Sequence, residues 1–326
     1  MRAWAIAAAA ALMAVAGLAQ AEEKVAIPSI TPATLPQFLS GGAPAATVSG
    51  ELYLPKGQGP FPAMILKHGS GGLEGPNGAN IRKWAATLNG WGVAAFVVDS
   101  FGPRGLKDTA KNQAVLSVWA DVADSFAALK VLGADPRIDK SRIGIMGWSR
   151  GGSVVLDTTL EKPRQIMGVG DLKFALHVAF YAAAETQYRD SATDHAPILF
   201  LHGEADNYVP MGATREYADW LKSMGNPVTF ISYPKTYHDF DVAGGYSGFA
   251  KVLQVGGHCD LVVDVTTGQV VRMGNKPVNA PGPDEIKAYY KTCVTFGATL
   301  QYNAAARADA VEKVHAFLKD NFHLAS

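Results

Sequence analysis

Six short apolar runs constrain this chain most: Phe61 to Leu66, Val93 to Val98, Ile143 to Met146, Phe174 to Phe180, Ile198 to Leu201 and Val228 to Tyr233. They are too brief for buried helices and too continuous for half-exposed strands, so they read as strands covered on both faces. Helical periods lie between them. Val115, Trp119, Val122, Phe126 and Leu129 make one apolar stripe, ended by Gly133 and Pro136. Tyr217, Trp220, Leu221 and Met224 make a second, and Val311, Val314, Phe317 and Leu318 a third. Thr47 to Leu54 alternates apolar and polar residues, as an edge or antiparallel strand does. Strands alternating with helices predict an α/β fold with a mostly parallel, doubly wound sheet flanked by helices. Chemistry in such a fold sits at the carboxyl ends of the strands.

The start of the chain has another character. Arg2 precedes an uninterrupted apolar run from Ala3 to Ala19, and Ala19-Gln20-Ala21 is a small-x-small cleavage site. Residues 1–21 therefore read as an export signal. A retained membrane anchor is the competing reading, but the run is alanine-rich and shorter than the ~20 strongly apolar residues of a typical span. No cysteine follows the site to carry a lipid. The expectation is one α/β domain over residues 22–326, periplasmic or secreted, with no membrane association after signal removal. With 29 basic and 29 acidic residues, nothing in the charge suggests a nucleic-acid partner.

Cys259 and Cys293 are the two cysteines of the chain. In an oxidising compartment an even pair favours a disulfide, which would stabilise the chain by about 3–4 kcal/mol. Two free buried thiols are the alternative. A metal site at His258, Cys259 and Asp260 is discounted, because three adjacent residues do not easily converge on one ion. No metal and no organic cofactor is expected.

If the architecture holds, each chemical candidate should follow a strand, and each does. Gly147-Trp148-Ser149-Arg150-Gly151-Gly152 follows Ile143 to Met146 and opens a helix-like segment. A sharp strand-to-helix turn of this kind exposes a serine oxygen as a nucleophile, with Gly147 and Gly151 leaving room where side chains would collide. Lys67-His68-Gly69-Ser70-Gly71-Gly72 follows Leu66, and its turning backbone can aim an amide near Ser70 at an oxyanion. The amide of Arg150 is the second donor. Asp206 follows Ile198 to Leu201 and is the candidate acid, with Glu204 as its competitor. His238 follows Val228 to Tyr233 and is the candidate general base; His177, His195, His258, His315 and His323 lack this placement. The order Ser149, Asp206, His238 is that of the α/β-hydrolase build.

Six ordered motifs together resemble the dienelactone hydrolase family of α/β-hydrolases. They are His-Gly-Ser-Gly-Gly (68–72), Asp-Ser-Phe-Gly-Pro-Arg-Gly (99–105), Asp-Pro-Arg-Ile-Asp (135–139), Gly-Trp-Ser-Arg-Gly-Gly (147–152), His-Gly-Glu-Ala-Asp (202–206) and Tyr-His-Asp-Phe (237–240). The resemblance covers roughly residues 47 to 240 and resumes at Tyr302 to Ala306. It implies Ser149, Asp206 and His238 as a triad, with amides near Ser70 and of Arg150 as the oxyanion hole. The enzymes that give the family its name carry a cysteine where this chain has Ser149, so the resemblance implies a general carboxylic ester or lactone hydrolase acting on small molecules. A second departure is the stretch of residues 242–301, an insert between the base and the last helix. Leu261 to Val265 and Gln269 to Arg272 read as a hairpin within it. Because it begins just after His238, it is expected either to border the site mouth, fastened by the disulfide, or to pack away from the cleft.

Arg104 and Arg150 each offer a guanidinium that could hold a substrate carboxylate; pairing with Asp99 or another acid is the structural alternative. Trp148, beside the nucleophile, is a candidate for the substrate wall or a packing residue. Two other functions fit the fold: a serine peptidase, and a binding protein that has lost turnover.

Overall fold

The computed structural model describes residues 22–190 and 192–324. The expected export signal, residues 1–21, lies outside the described residues. The strands are β1 (Glu23–Ile30), β2 (Ala45–Tyr53), β3 (Phe61–Lys67), β4 (Ala94–Asp99), β5 (Ile138–Trp148), β6 (His177–Phe180), β7 (Thr186–Arg189), β8 (Ile198–Gly203), β9 (Val228–Tyr233), β10 (Gly248–Val255), β11 (Leu261–Asp264), β12 (Gln269–Met273), β13 (Lys276–Pro277) and β14 (Thr295–Leu300). The helices are α1 (Leu35–Leu39), α2 (Gly75–Gly90), α3 (Val118–Ala134), α4 (Arg150–Asp157), α5 (Glu161–Ile166), α6 (Met211–Ser223), α7 (Pro283–Cys293) and α8 (Ala304–Phe322).

Eight strands form the central sheet in the order β1-β2-β4-β3-β5-β6-β8-β9. From β4 to β9 every neighbour is parallel, while β2 runs antiparallel to both β1 and β4. The apolar runs of β3, β4 and β8 are continuous because both faces of these strands are covered, whereas β9, at the sheet edge, carries Thr229 and Ser232 and is mostly half-buried. On β3, Ala63 and Ile65 pack with α3, α4 and α6, whereas Met64 and Leu66 point the other way against α2 and α8. This two-sided cover is the expected α/β fold.

Local differences have local causes. Strand β1 gives little signal in the sequence, because its alternation is short and carries Pro28, which an edge strand tolerates. Val115 leaves the first helical stripe: it lies in a 3₁₀ turn at Gln113–Val115 and is exposed. Helix α3 starts only after Ser117, whose hydroxyl caps the Trp119 amide.

The insert adds two small sheets. Its predicted hairpin is β11–β12, which pairs in parallel with β7 outside the central sheet. Strands β10 and β14 form a two-stranded ribbon. Cys259 and Cys293 are joined in a disulfide, with Cα atoms 5.2 Å apart. The ribbon returns the chain to where it left. Gln301 donates its amide to the His238 carbonyl at 3.0 Å, and Asn303 to the Phe240 carbonyl at 2.9 Å.

Candidate active site

Strand β5 ends at Trp148, and Ser149 forms the turn into α4 with φ 53° and ψ −118°. A non-glycine residue at positive φ is strained, and here the strain stands the serine side chain clear of the sheet edge. The flanking glycines are required by contact. A Cβ on Gly147 would lie 2.2 Å from the Gly151 carbonyl oxygen, and one on Gly151 would lie 2.3 Å from that of Lys67.

His238 comes from the loop after β9 and Asp206 from the loop after β8. His238 Nε2 lies 3.0 Å from Ser149 Oγ, and Nδ1 lies 2.7 Å from Asp206 Oδ2. Because a carboxylate only accepts, the Nδ1 proton faces Asp206, and Nε2 is left to accept from the serine hydroxyl. Asp206 Oδ1 in turn accepts the amides of Tyr208 and Val209 at 2.9 and 2.8 Å, which fixes its orientation. Burial disfavours the charged imidazole of His238. The attraction and hydrogen bond of Asp206 outweigh that and raise its pKa above the ordinary value of 6.5. Glu204, the competing acid, is exposed and accepts from Ser232 instead.

The loop after β3 lies against Ser149. A Cβ on Gly69 would come within 3.3 Å of Ser149 Cβ. His68 beneath it is neutral: Nε2 accepts the Ser100 amide, so the proton sits on Nδ1 and points to the Gly69 carbonyl. Burial, aided by Lys67, lowers its pKa. The Ser70 hydroxyl pairs with Gln113, whose amide N–H reaches Gln254 of the insert at 3.2 Å. The Arg150 amide, as the first of α4, has no acceptor within the helix.

The two arginines are spent on the scaffold. Arg104 donates to both oxygens of Asp124, at 2.7 and 3.0 Å, and to Ile30, Thr31 and Ser100. It lines neither cavity beside Ser149. The substrate-binding expectation for Arg104 is therefore corrected: its fork holds η1 (Gly102–Arg104, a 3₁₀ turn) to β1 and α3. The Arg150 guanidinium binds Asp121 at 2.8 Å and the Leu116 carbonyl at 2.7 Å. Although burial would raise Asp121, Arg150 and Lys67 hold its carboxyl well below the usual range. Trp148 lines the smaller cavity and also packs, which joins its two readings.

One important residue was not foreseen. Asp241, fully buried, accepts from Asn80, Trp84 and Trp148 on Oδ2 and from Tyr181 on Oδ1, at 2.7 to 3.0 Å. No spacing rule links an acid after the base to a tryptophan before the nucleophile. For Tyr181, which lies against the His238 ring at 4.5 Å between centroids, a signal existed: it follows β6 at the carboxyl edge of the sheet.

Two cavities meet at Ser149. The smaller, about 120 Å³, is bordered by Trp148, Tyr181, Tyr208 and, from the insert, Leu253 and Leu300. The larger, about 730 Å³, runs beside α4 and takes Gln254, Tyr290 and Val294 from the insert. The insert thus borders the cleft. Among the described residues no cluster of three or more His, Cys, Asp or Glu could hold a metal.

The chain is similar to several known proteins. The chain is 15% identical to a dienelactone hydrolase-like promiscuous phosphotriesterase from metagenomic libraries. That likeness covers 91% of this chain and 98% of the other, with a TM-score of 0.53. An esterase from Thermogutta terrifontis, solved with propionate bound, is 20% identical over 60% of this chain and 82% of its own, with a TM-score of 0.49. A probable dipeptidyl-aminopeptidase B of Arthroderma otae is 26% identical over 200 residues, which are 55% of this chain. The match spans 21% of that relative's length. The model of the dienelactone hydrolase family matches residues 48–252, from β2 through the base loop and into the insert, and the chain belongs to that family.

Proposed function

We propose that the protein is an exported serine hydrolase that cleaves carboxylic esters or lactones through an acyl-enzyme on Ser149. The observation that carries this reading is the unbroken path Ser149 Oγ, His238, Asp206, with contacts of 3.0 and 2.7 Å. Ser149 Oγ attacks the ester carbonyl carbon as its proton passes to His238 Nε2. Asp206 keeps its charge and stabilises the imidazolium so formed. The oxyanion is assigned to the amides of Ser70 and Arg150. The carbon–oxygen bond to the leaving group then breaks, and His238 returns the proton to the departing alkoxide. Water attacks the acyl carbon, with His238 taking its proton. The carboxylic acid leaves as that proton returns to Ser149 Oγ.

The disulfide supports an oxidising compartment, reached by cleavage of residues 1–21 and leaving a single domain. Among the described residues no helix is long and apolar enough to cross a membrane. The peptidase relative favours a second reading, a serine peptidase with the same nucleophile. Labelling with a fluorophosphonate, followed by peptide mapping, tests the assignment, together with nitrophenyl acetate turnover by wild type and Ser149→Ala. The expected result is an adduct on Ser149 and loss of turnover in the variant. An unlabelled Ser149 together with absent turnover would favour a binding protein, and a fully active variant would move the chemistry to a residue other than Ser149. A panel of short peptides separates peptidase from esterase.

A further inference from the structure

The larger chamber has a direction. Arg150, Ser153 and Asp157 recur at spacings of three and four on α4, so one helix face lines it. Eight residues separate Ser149 from Asp157, about 12 Å along a helix. The chamber therefore begins at the nucleophile and reaches a carboxyl about two turns away. Its walls are mixed: Leu116, Val118, Tyr188, Tyr290 and Val294 form an apolar and aromatic part, and about half of the lining residues are polar.

The polar groups of that chamber are unbalanced. Asp157 is 3% exposed, borders the cavity, and its carboxyl meets no donor or base among the described residues. Glu185, a second carboxyl on the wall, is half-buried, and burial raises it against the pull of its own backbone amide and of His238. Arg150, the basic side chain on the wall among the described residues, is bound to Asp121 and the Leu116 carbonyl. Ser153 donates to the Ala183 carbonyl at 2.6 Å and has lone pairs left over. Among the described residues the wall thus offers two carboxyls with no free cation to answer them, alongside the unpartnered hydroxyl of Tyr208. A buried polar group without a partner is costly, and a partner supplied by a ligand removes that cost.

We propose that this chamber is the subsite for a basic nitrogen, and that the substrates of Ser149 are esters whose longer arm is apolar and ends in an ammonium group near Asp157. The proposal rests on the hydrolase reading of Ser149. The cavity of about 120 Å³ takes the short substituent on the other side of the ester bond. Burial raises the Asp157 carboxyl well above the usual range, with the phenols of Tyr188 and Tyr217 close by. An ammonium seated beside it returns it to the ionised form. Substrates bearing a free carboxylate on that arm are rejected, because they would face two acids.

Binding can be measured without turnover. Calorimetric titration of the purified protein with hexylammonium, hexanol and hexanoate should rank them in that order, hexylammonium binding about tenfold tighter than hexanol. In Asp157→Asn the hexylammonium advantage should fall to within about twofold. Turnover by wild type gives an independent reading, nitrophenyl aminohexanoate exceeding nitrophenyl hexanoate in kcat/KM and the adipate monoester falling below both. Equal binding of hexylammonium and hexanol, tightest binding of hexanoate, or an advantage unchanged in Asp157→Asn would each overturn the proposal. Failure of the hydrolase reading looks different: no acetate turnover and no adduct on Ser149, whatever the amine affinity.

Discussion

Trp148 donates its indole N–H to Asp241 at 3.0 Å, so the residue before the nucleophile is tied to the third residue after the base. The same carboxylate holds Tyr181, which lies against His238. The Ser149 turn and the His238 loop are therefore one hydrogen-bonded unit beneath the cleft.

That unit makes Asp241 a positioning residue. Asp241→Ala leaves four buried donors without an acceptor and the nearby Arg307 guanidinium without its counter-charge. A loss of about 3–5 kcal/mol is expected, read as a lower urea midpoint. Asp241→Asn keeps the shape but places an amide where donors already point. Its kcat on nitrophenyl acetate should fall while KM stays within about twofold, since the variant disturbs alignment rather than the cavity wall.

Asp206→Asn tests the orienting acid. An amide can donate to Nδ1 and favour the wrong tautomer, leaving Nε2 protonated and unable to accept from Ser149. A drop in kcat of roughly 10⁴-fold is expected with little change in thermal stability. A loss below about tenfold would count against Asp206 as the acid.

The pH profile follows from His238. The base must be neutral to accept the serine proton, and its pKa lies above 6.5, so kcat/KM should rise with pH through an apparent value above 6.5 and be lost below it. Asp239, next along the loop, is pushed up to about 6 by burial against the pull of His238, and its charge adds to the upward shift of the histidine. Asp239→Asn should move the acid limb to lower pH. An unmoved or upward-moved limb would refute this coupling.

The disulfide fastens the part of the insert that lines the larger chamber, since Tyr290 and Val294 flank Cys293. Reduction, or Cys259→Ser with Cys293→Ser, should lower stability by about 3–4 kcal/mol. It should also raise KM for long-armed esters more than for acetate. Equal changes for both would mean that the insert does not contribute to the subsite.

Much of this was legible in the chain itself, for a stated reason. Parallel strands inside a sheet are buried on both faces and announce themselves as apolar runs, so β3, β4, β5 and β8 could be read as strands, with the edge strand β9 continuing the series, and Ser149, Asp206 and His238 stand out as candidates because each follows a strand. Asp241 and Asp157 could not be found this way. Their surroundings are set by residues distant in the chain, Asn80 and Trp84 for one, Tyr188 and Tyr217 for the other. Arg104 failed for a related cause. The sequence shows a guanidinium on a loop near the site, and only the packing reveals that Asp124 of α3 has taken it.

The hydrogen bonds from Gln301 and Asn303 to the carbonyls of His238 and Phe240 mean that the insert leaves and re-enters the fold through one narrow neck. A loop with joined ends adds little closure entropy as it lengthens. The His238 loop is held by the neck, while the cavity walls supplied by the insert hang beyond it on β10, α7 and β14. Replacing those walls wholesale is then an exchange of a module at two neighbouring splice points. Such grafts between relatives should carry substrate preference with them and leave the proton path intact.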